Sequence, residues 1–332
     1  MVDRTMLSKV QGCLMGVAIG DALGMPVETM SHEKIMAETQ GIGVTDFIDP
    51  INRREWVKEL KAGDTTDDWQ LTRAVANSLI RCHGQLDITD CANEHVFELN
   101  RSLFGWGKGT QSAIEAIKLG ERVVGRDPLP AIEPNKGCGN GVVMKVAPLP
   151  ISKFTVGKKG SDIWQDVKAL GSMTHHDIRA SISAYAVAAG LQMVFEQQLT
   201  NVGRHYFLEI IIRAVETVEK AEGVTTQLVS ERLNMLSGAI GNAEALRKAV
   251  GCGFHAIDTA AFTIGTFMRH PTDFRSGVLE AVNAGGDTDT NASVVGGLIG
   301  ANVGIEMIPE EWKSFNPAFN EALDLGQRLC FE

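Results

Sequence analysis

No two cysteines of this chain form a CxxC pair. The six lie at positions 13, 82, 91, 138, 252 and 330, a spread that excludes zinc ribbons and disulfide scaffolds. Thiols scattered in this way suit a reducing compartment. The opening residues Met1-Val2-Asp3-Arg4 lead into no signal-peptide pattern, so a cytoplasmic protein is expected. The most apolar windows, Val10 to Met25 and Ala292 to Ile305, are interrupted by Asp21 and Asn302 and are short for a membrane span; no membrane partner is expected. No window concentrates Lys and Arg, and 31 basic against 41 acidic residues leave a net charge of −10. That field repels phosphate backbones, so nucleic acid is not an expected partner. A small anionic substrate would need local help, from a metal or from oriented backbone N–H groups. Internal repeats and low-complexity tracts are absent, and period-two alternation nearly so.

Helical spacing recurs instead. Leu71, Val75 and Leu79 form one i, i+4 stripe. Ile182, Ala186, Ala189 and Met193 form a second, Ile210, Ala214, Val218 and Ala221 a third, and Ala256, Ala260, Ile264 and Met268 a fourth. Gly and Pro punctuate the intervals at Gly84, Gly105 to Gly109, Pro128 to Pro130, Gly157 to Gly160, Gly223 and Pro271. None of these breaks is long enough for an interdomain linker. With 332 residues, 44% of them hydrophobic and 22% charged, the chain has ample material for one core. The expected fold is all-α, roughly a dozen helices in a single domain spanning 1–332. Two helices, 10–24 and 291–304, are rich in Gly, Ala and Ser, so they should pack backbone to backbone at the centre. The stretch from about 120 to 160 is the least regular.

Two acidic runs carry the chemistry. Thr66, Asp67 and Asp68 follow Gly63-Asp64-Thr65 and precede a helical stripe. Capping of a helix N-terminus explains one Asp, but two adjacent carboxylates repel unless a cation sits between them. The second run is Asp287-Thr288-Asp289-Thr290, behind the flexible pair Gly285-Gly286. Read as a calcium loop it would need Gly at 292 and Glu at 298, where Ala292 and Leu298 stand. As a phosphotransferase DxDx[TV] loop it would need Thr or Val where Asn291 stands. A helical path would make Asp287 and Asp289 diverge, whereas a loop would let them converge. Oxygen-only ligand sets favour magnesium or manganese over zinc, and the two runs together offer ligands for two ions. Glu28, beyond the turn Gly20-Asp21-Ala22-Leu23-Gly24, is either a further ligand or a solvated carboxylate.

Gly137-Cys138-Gly139-Asn140-Gly141 is neither a dinucleotide fingerprint nor a Walker loop. Entering a helix, it would form a nest of N–H donors suited to phosphate, though a plain tight turn looks similar. His175 and His176 stand at the start of a helix running to about 195, where a surface or capping role is the ordinary alternative.

Taken in order, Gly20-Asp21-Ala22-Leu23-Gly24 with Glu28, Thr66-Asp67-Asp68, Gly139-Asn140-Gly141 with Met144 and Pro148, Thr174-His175, and Gly286-Asp287-Thr288-Asp289-Thr290 resemble the ADP-ribosylglycohydrolases. The motifs keep the family's order over residues 12 to about 300. The resemblance implies an all-α fold with two divalent cations, Mg2+ or Mn2+, in a central cleft. It implies metal ligation by Thr66, Asp67 and Asp68 from one side and by Asp287, Asp289 and Thr290 from the other. Glu28, Asp67 and Asp289 would take catalytic roles. Gly139, Asn140 and Gly141 would cradle the pyrophosphate, and His175 would border the ribose. The implied reaction cleaves the bond between ADP-ribose and an acceptor on a protein or a small molecule. Metal-acidified water and a second carboxylate would manage the protons, through an oxocarbenium-like sugar. One departure is the loop Phe104-Gly105-Trp106-Gly107-Lys108-Gly109-Thr110, which lacks the acidic residue some members carry there; Trp106 could stack on the substrate or belong to the core. Two further readings stay open: hydrolysis of a different N-glycoside, such as a nucleoside or a modified guanidine, and an inactive crystallin-like or ADP-ribose-binding protein.

Overall fold

Gly12, Gly16, Gly20 and Gly24 recur every four residues and line one face of the helix Arg4–Gly24. In the computed structural model, which describes residues 4–332 except 53–54, 103, 123, 125–136, 158–161 and 197, that face meets the antiparallel helix Thr288–Val303. The backbones touch. A Cβ at Gly16 would stand 2.1 Å from the Gly296 carbonyl oxygen, and one at Gly20 2.1 Å from that of Ala292. The expected backbone-to-backbone pairing of the two small-residue helices is therefore present, and both lie buried.

Around this pair pack the helices Asp67–Arg81, Ile178–Phe195, Ala256–Arg269, Phe274–Asn283 and Asn320–Phe331. The fold is all-α: among the described residues there are seventeen α-helices, four 3-10 turns and no strand, only isolated bridges at Ser31–Gly285 and Gly139–His255. That exceeds the expected dozen because helices as short as Leu236–Ala239 and Glu310–Lys313 span too few turns to show a period. Pro128 to Pro130 and the middle of the 120–160 stretch lie outside the described residues.

Three of the apolar stripes are buried as the spacing predicts, Ala189 excepted, which is partly exposed. The third is displaced. The core face of Gln198–Ala221 is Phe207, Ile211, Val215 and Val218, whereas Ile210 and Ala214 are half-buried and Ala221 exposed. Two adjacent i, i+4 rows were both apolar, and Phe207 with its larger surface won the interior. The membrane expectation also needs correction in its premise. Residues Arg4–Val27, with mean hydropathy 1.4, and Ile178–Phe195, with 1.3, are long and apolar enough to span by length and composition, yet 94% and 72% of these windows are buried within the protein.

Gly16→Ala should destabilise the fold by about 3 kcal/mol or more, because a rigid carbonyl cannot yield to the new methyl. Gly238→Ala, at an exposed position of Leu236–Ala239 with nothing within 4 Å, should be neutral or stabilise by about 0.5–1 kcal/mol. Urea unfolding of both variants checks the contrast.

Candidate active site

The helix pairing decides which carboxylates meet. Thr288 Oγ1 donates to the Gly24 carbonyl at 2.7 Å, so Asp21 and Asp289 share one end of the pair. Asp21, wholly buried, organises the next element. Its carboxylate accepts from Thr66 N (2.9 and 3.0 Å), Thr66 Oγ1 (2.7 Å) and Trp69 N (3.0 Å). Thr66 is thereby the N-cap residue of Asp67–Arg81 without making a side-chain cap bond of its own. Neither Asp67 nor Asp68 is the cap, since both are first-turn residues of the helix, and the Trp69 N–H is capped by Asp21 instead.

Gly285 and Gly286 adopt φ values of 82° and 78° as the chain passes between two backbones. Thr29 N donates to Gly286 O at 2.7 Å, Gly286 N to Met30 O at 2.8 Å, and Asp287 N to Cys252 O at 2.9 Å. A Cβ at Gly286 would stand 2.3 Å from Cys252 O. This clamp brings Glu28 beside Asp287, and Glu28 is buried at 5% exposure, so the solvated alternative does not hold. Asp287 is the non-helical N-cap of Thr288–Val303 (φ −92°, ψ 77°), while Asp289 lies in the first helical turn. The pair converges at a helix start, not in a loop, because the break in backbone direction falls between them.

Two trios result, Asp21–Asp68–Asp289 and Glu28–Asp287–Asp289, each with carboxylate oxygens within 4.8 Å of one another. Asp289 belongs to both. Thr290 Oγ1 donates to Asp68 Oδ2 at 3.3 Å. Asp67 stands alongside, outside both trios. The Gly107 backbone holds its carboxylate, and a Cβ at Gly105 would be 2.5 Å from its Oδ1. Burial first, and the charge of Asp289 second, raise the pKa of Asp21 to about 7 and push Asp67, Asp68 and Asp287 well above the usual carboxylate range. Asp68 Oδ1 is buried with no hydrogen-bond partner. An orphaned carboxylate oxygen facing further carboxylates is what a cation would satisfy, and an all-oxygen donor set fits magnesium or manganese.

Asp21 was missed as a site residue. The available signal was a lone carboxylate in an otherwise apolar Gly/Ala helix, which has no reason to be there unless it is paired.

The glycine run Gly137–Gly141 does not enter a helix; residues 141–145 are turns, and the next helix begins at Pro148. It pairs instead with the segment at His255: Ala256 N donates to Cys138 O and Asn140 N to Phe254 O. Asn140 Nδ2 donates to Asp287 Oδ2 at 2.5 Å and to Thr259 Oγ1 at 3.0 Å, so its side chain orients a carboxylate. Gly139 and Gly141 face the His175 ring. His175 is buried three residues ahead of the helix Ile178–Phe195, whose N-cap is Asp177. Trp106 is packed in the core with Nε1 donating to Gln70 Oε1 at 2.8 Å. Two surface cavities flank the carboxylates without being lined by either trio. One, about 280 Å³, lies along Thr65, Trp69, Gln70 and Phe104; the other, about 510 Å³, along Arg232, His255 and Asp258.

The ADP-ribosylglycohydrolase family model matches residues 3–329. The chain is 25% identical over 355 residues to "ADP-ribosylhydrolase ARH3" of Mus musculus, covering 97% of this chain and 91% of that one. It is 25% identical over 315 residues to "ADP-ribosyl-[dinitrogen reductase] glycohydrolase" of Rhodospirillum rubrum, covering 95% and 92%. A solved structure titled "ADP-ribosylglycohydrolase-related protein complex" superposes with a TM-score of 0.72 at 23% identity over 99% of both chains, a likeness of fold.

For the metal-free protein the sign of the pH dependence follows from the raised carboxyls. The folded state holds the Asp21 proton up to about pH 7, while an unfolded Asp releases it near about pH 3.9. Stability should therefore fall as pH rises between those values. Asp289→Asn should flatten that fall and raise the melting temperature in EDTA, and should abolish the melting shift given by Mg2+. Thermal scans from pH 4 to 8 with EDTA or Mg2+ check both.

Proposed function

The chain belongs to the ADP-ribosylglycohydrolase family, and from that premise we propose that it is a hydrolase, dependent on two Mg2+ or Mn2+ ions, that cleaves the glycosidic bond between ADP-ribose and an acceptor. The observation that carries the reading is the sharing of Asp289 by two carboxylate trios, since a shared carboxylate is the arrangement of a two-cation site. Ions held there by Asp21, Asp68, Asp287, Asp289 and Glu28, with Thr66, Asp67 and Thr290 beside them, would neutralise the buried charge and acidify water.

The remaining work falls to the chain itself. Glu28 sits in one trio with Asp287 and Asp289, where it can exchange a proton with a group bound between them. Asp67, beside the Gly105–Gly107 turn, would be ionised once cations are bound and would then stabilise an oxocarbenium-like sugar. Asn140 keeps Asp287 in register through its 2.5 Å hydrogen bond. Gly139, Gly141 and His175 form the wall along which the pyrophosphate and ribose would lie, and Trp106 ties its loop to the helix Asp67–Arg81 through Gln70. The acceptor is proposed as a class, an ADP-ribosylated protein side chain or an ADP-ribosylated small molecule. Phe104 to Thr110 contains no carboxylate, which favours keeping a second reading, hydrolysis of another N-glycoside at the same site. A crystallin-like relic has no need of Asp21, Glu28, Asp67, Asp68, Asp287 and Asp289 all buried together. A cytoplasmic location is part of the proposal, supported by six free cysteines.

Release of ADP-ribose from arginine-, serine- and O-acetyl-linked substrates is expected for at least one linkage with Mg2+ or Mn2+, and is expected to stop in EDTA. No turnover of any of them at saturating metal would overturn the reading. Asn140→Ala should weaken metal binding about ten- to a hundredfold, measured by calorimetry; unchanged affinity would remove Asn140 from the site.

A further inference from the structure

Lys145 is fully buried in the turns that follow the glycine run, and nothing in the proposed reaction uses it. Its Nζ donates one described hydrogen bond, to Thr174 Oγ1 at 3.2 Å. Thr174 Oγ1 lies 2.9 Å from His175 Nδ1. The far edge of that imidazole faces the glycine run: a Cβ at Gly139 would stand 3.5 Å from Nε2, and one at Gly141 3.3 Å from Nε2 and 3.0 Å from Cε1. Lys145, Thr174 and His175 thus form a chain of polar atoms that starts in the core and ends at the glycine run.

The directions of these hydrogen bonds follow from donor counting. An ammonium has three N–H donors and no acceptor, so Lys145 can only donate to Thr174. Burial brings its pKa down to about 8, which leaves it charged at neutral pH. The Thr174 hydroxyl has one proton to place. If His175 carried a proton on Nδ1, both neighbours would donate to Oγ1, and the hydroxyl proton would be buried with no described acceptor, a state proteins avoid. The consistent pattern is Lys145 Nζ–H to Thr174 Oγ1, then Thr174 Oγ1–H to His175 Nδ1. The imidazole proton is then on Nε2, toward Gly139 and Gly141. Burial also lowers the His175 pKa to about 3, so the ring is neutral and the choice of tautomer decides what it offers to a ligand. A buried charge is costly compared with an apolar side chain of similar size; the charge of Asp67 favours the ammonium, and orienting Thr174 gives its described hydrogen bond a use.

We propose that Lys145 and Thr174 are positioning residues that hold His175 as its Nε2–H tautomer and direct that N–H at an oxygen acceptor, a ribose hydroxyl or phosphate oxygen, lying along Gly139–Gly141. The identity of the acceptor rests on the proposed hydrolase reading; the tautomer does not.

Long-range 1H–15N NMR of the histidine rings in the full chain tests this, with the His175 signals assigned by their loss in His175→Gln. The native protein is expected to show His175 protonated on Nε2 alone, and Thr174→Ser to keep that state. Thr174→Val, nearly the same shape, and Lys145→Met are each expected to give mixed or Nδ1-protonated rings, with ADP-ribose affinity reduced about tenfold for the lost directed hydrogen bond. An Nδ1–H tautomer in the native protein, or an unchanged ring in both Thr174→Val and Lys145→Met, would overturn the proposal. If the native protein shows Nε2–H and does not bind ADP-ribose, the hydrolase reading fails while the NMR comparison still decides the role of Lys145 and Thr174.

Discussion

The backbone contact between Arg4–Gly24 and Thr288–Val303 is the constraint from which the rest of the molecule follows. With Gly16 against Gly296 and Gly20 against Ala292 at carbonyl distance, neither helix can slide or rotate without a steric clash. Asp21 and Asp289 are spaced from those glycines by fixed numbers of residues on rigid helices. The register of the pair is therefore also the register of the carboxylates. Asp21 passes this order on, since three of its hydrogen bonds end on Thr66 and one on Trp69 and set the start of the helix that carries Asp67 and Asp68.

That helix is held from its other side as well. Arg73 makes a bidentate pair with Glu98, at 2.8 and 2.6 Å, and a third bond to Glu321 at 2.7 Å. One side chain thus ties Asp67–Arg81 to Ile88–Arg101 and to Asn320–Phe331. The satisfied arginine network stands apart from the carboxylate cluster, where no Arg or Lys hydrogen-bonds to Asp21, Asp67, Asp68 or Asp287 among the described contacts and the one described cationic neighbour is Lys145, which feels the charge of Asp67. Structural charge is paired where it packs the fold, while six buried carboxylates share one described cationic neighbour where a cation would bind. Such a division trades stability of the metal-free protein for a site ready to take ions.

The glycine run shows how one feature served two readings. Its spacing suggested a phosphate nest at a helix start, and the structure instead makes it a strut: Asn140 reaches Asp287, and the glycines leave room for the His175 ring. Gly139 and Gly141 face the His175 ring, and the side chain between them reaches Asp287.

Fold class, the small-residue helix pair and most of the carboxylates of the two trios were legible in the sequence, because helical periodicity, glycine content and clustered carboxylates are local properties. The contact of residues 67–68 with 287–290, across more than 200 positions, had to be supplied by family resemblance, since no local pattern encodes it. Asp21 and Lys145 carried no legible role in the sequence for a related reason. Each is a single polar residue in an apolar context, and its meaning lies in what a distant segment places beside it: Thr66 and Asp289 for the one, Thr174 and His175 for the other. Only tertiary packing decided that Ile211 rather than Ile210 is core, that Glu28 is buried, and that Asp289 is shared between two trios, because each depends on which of several chemically equivalent faces meets a neighbour.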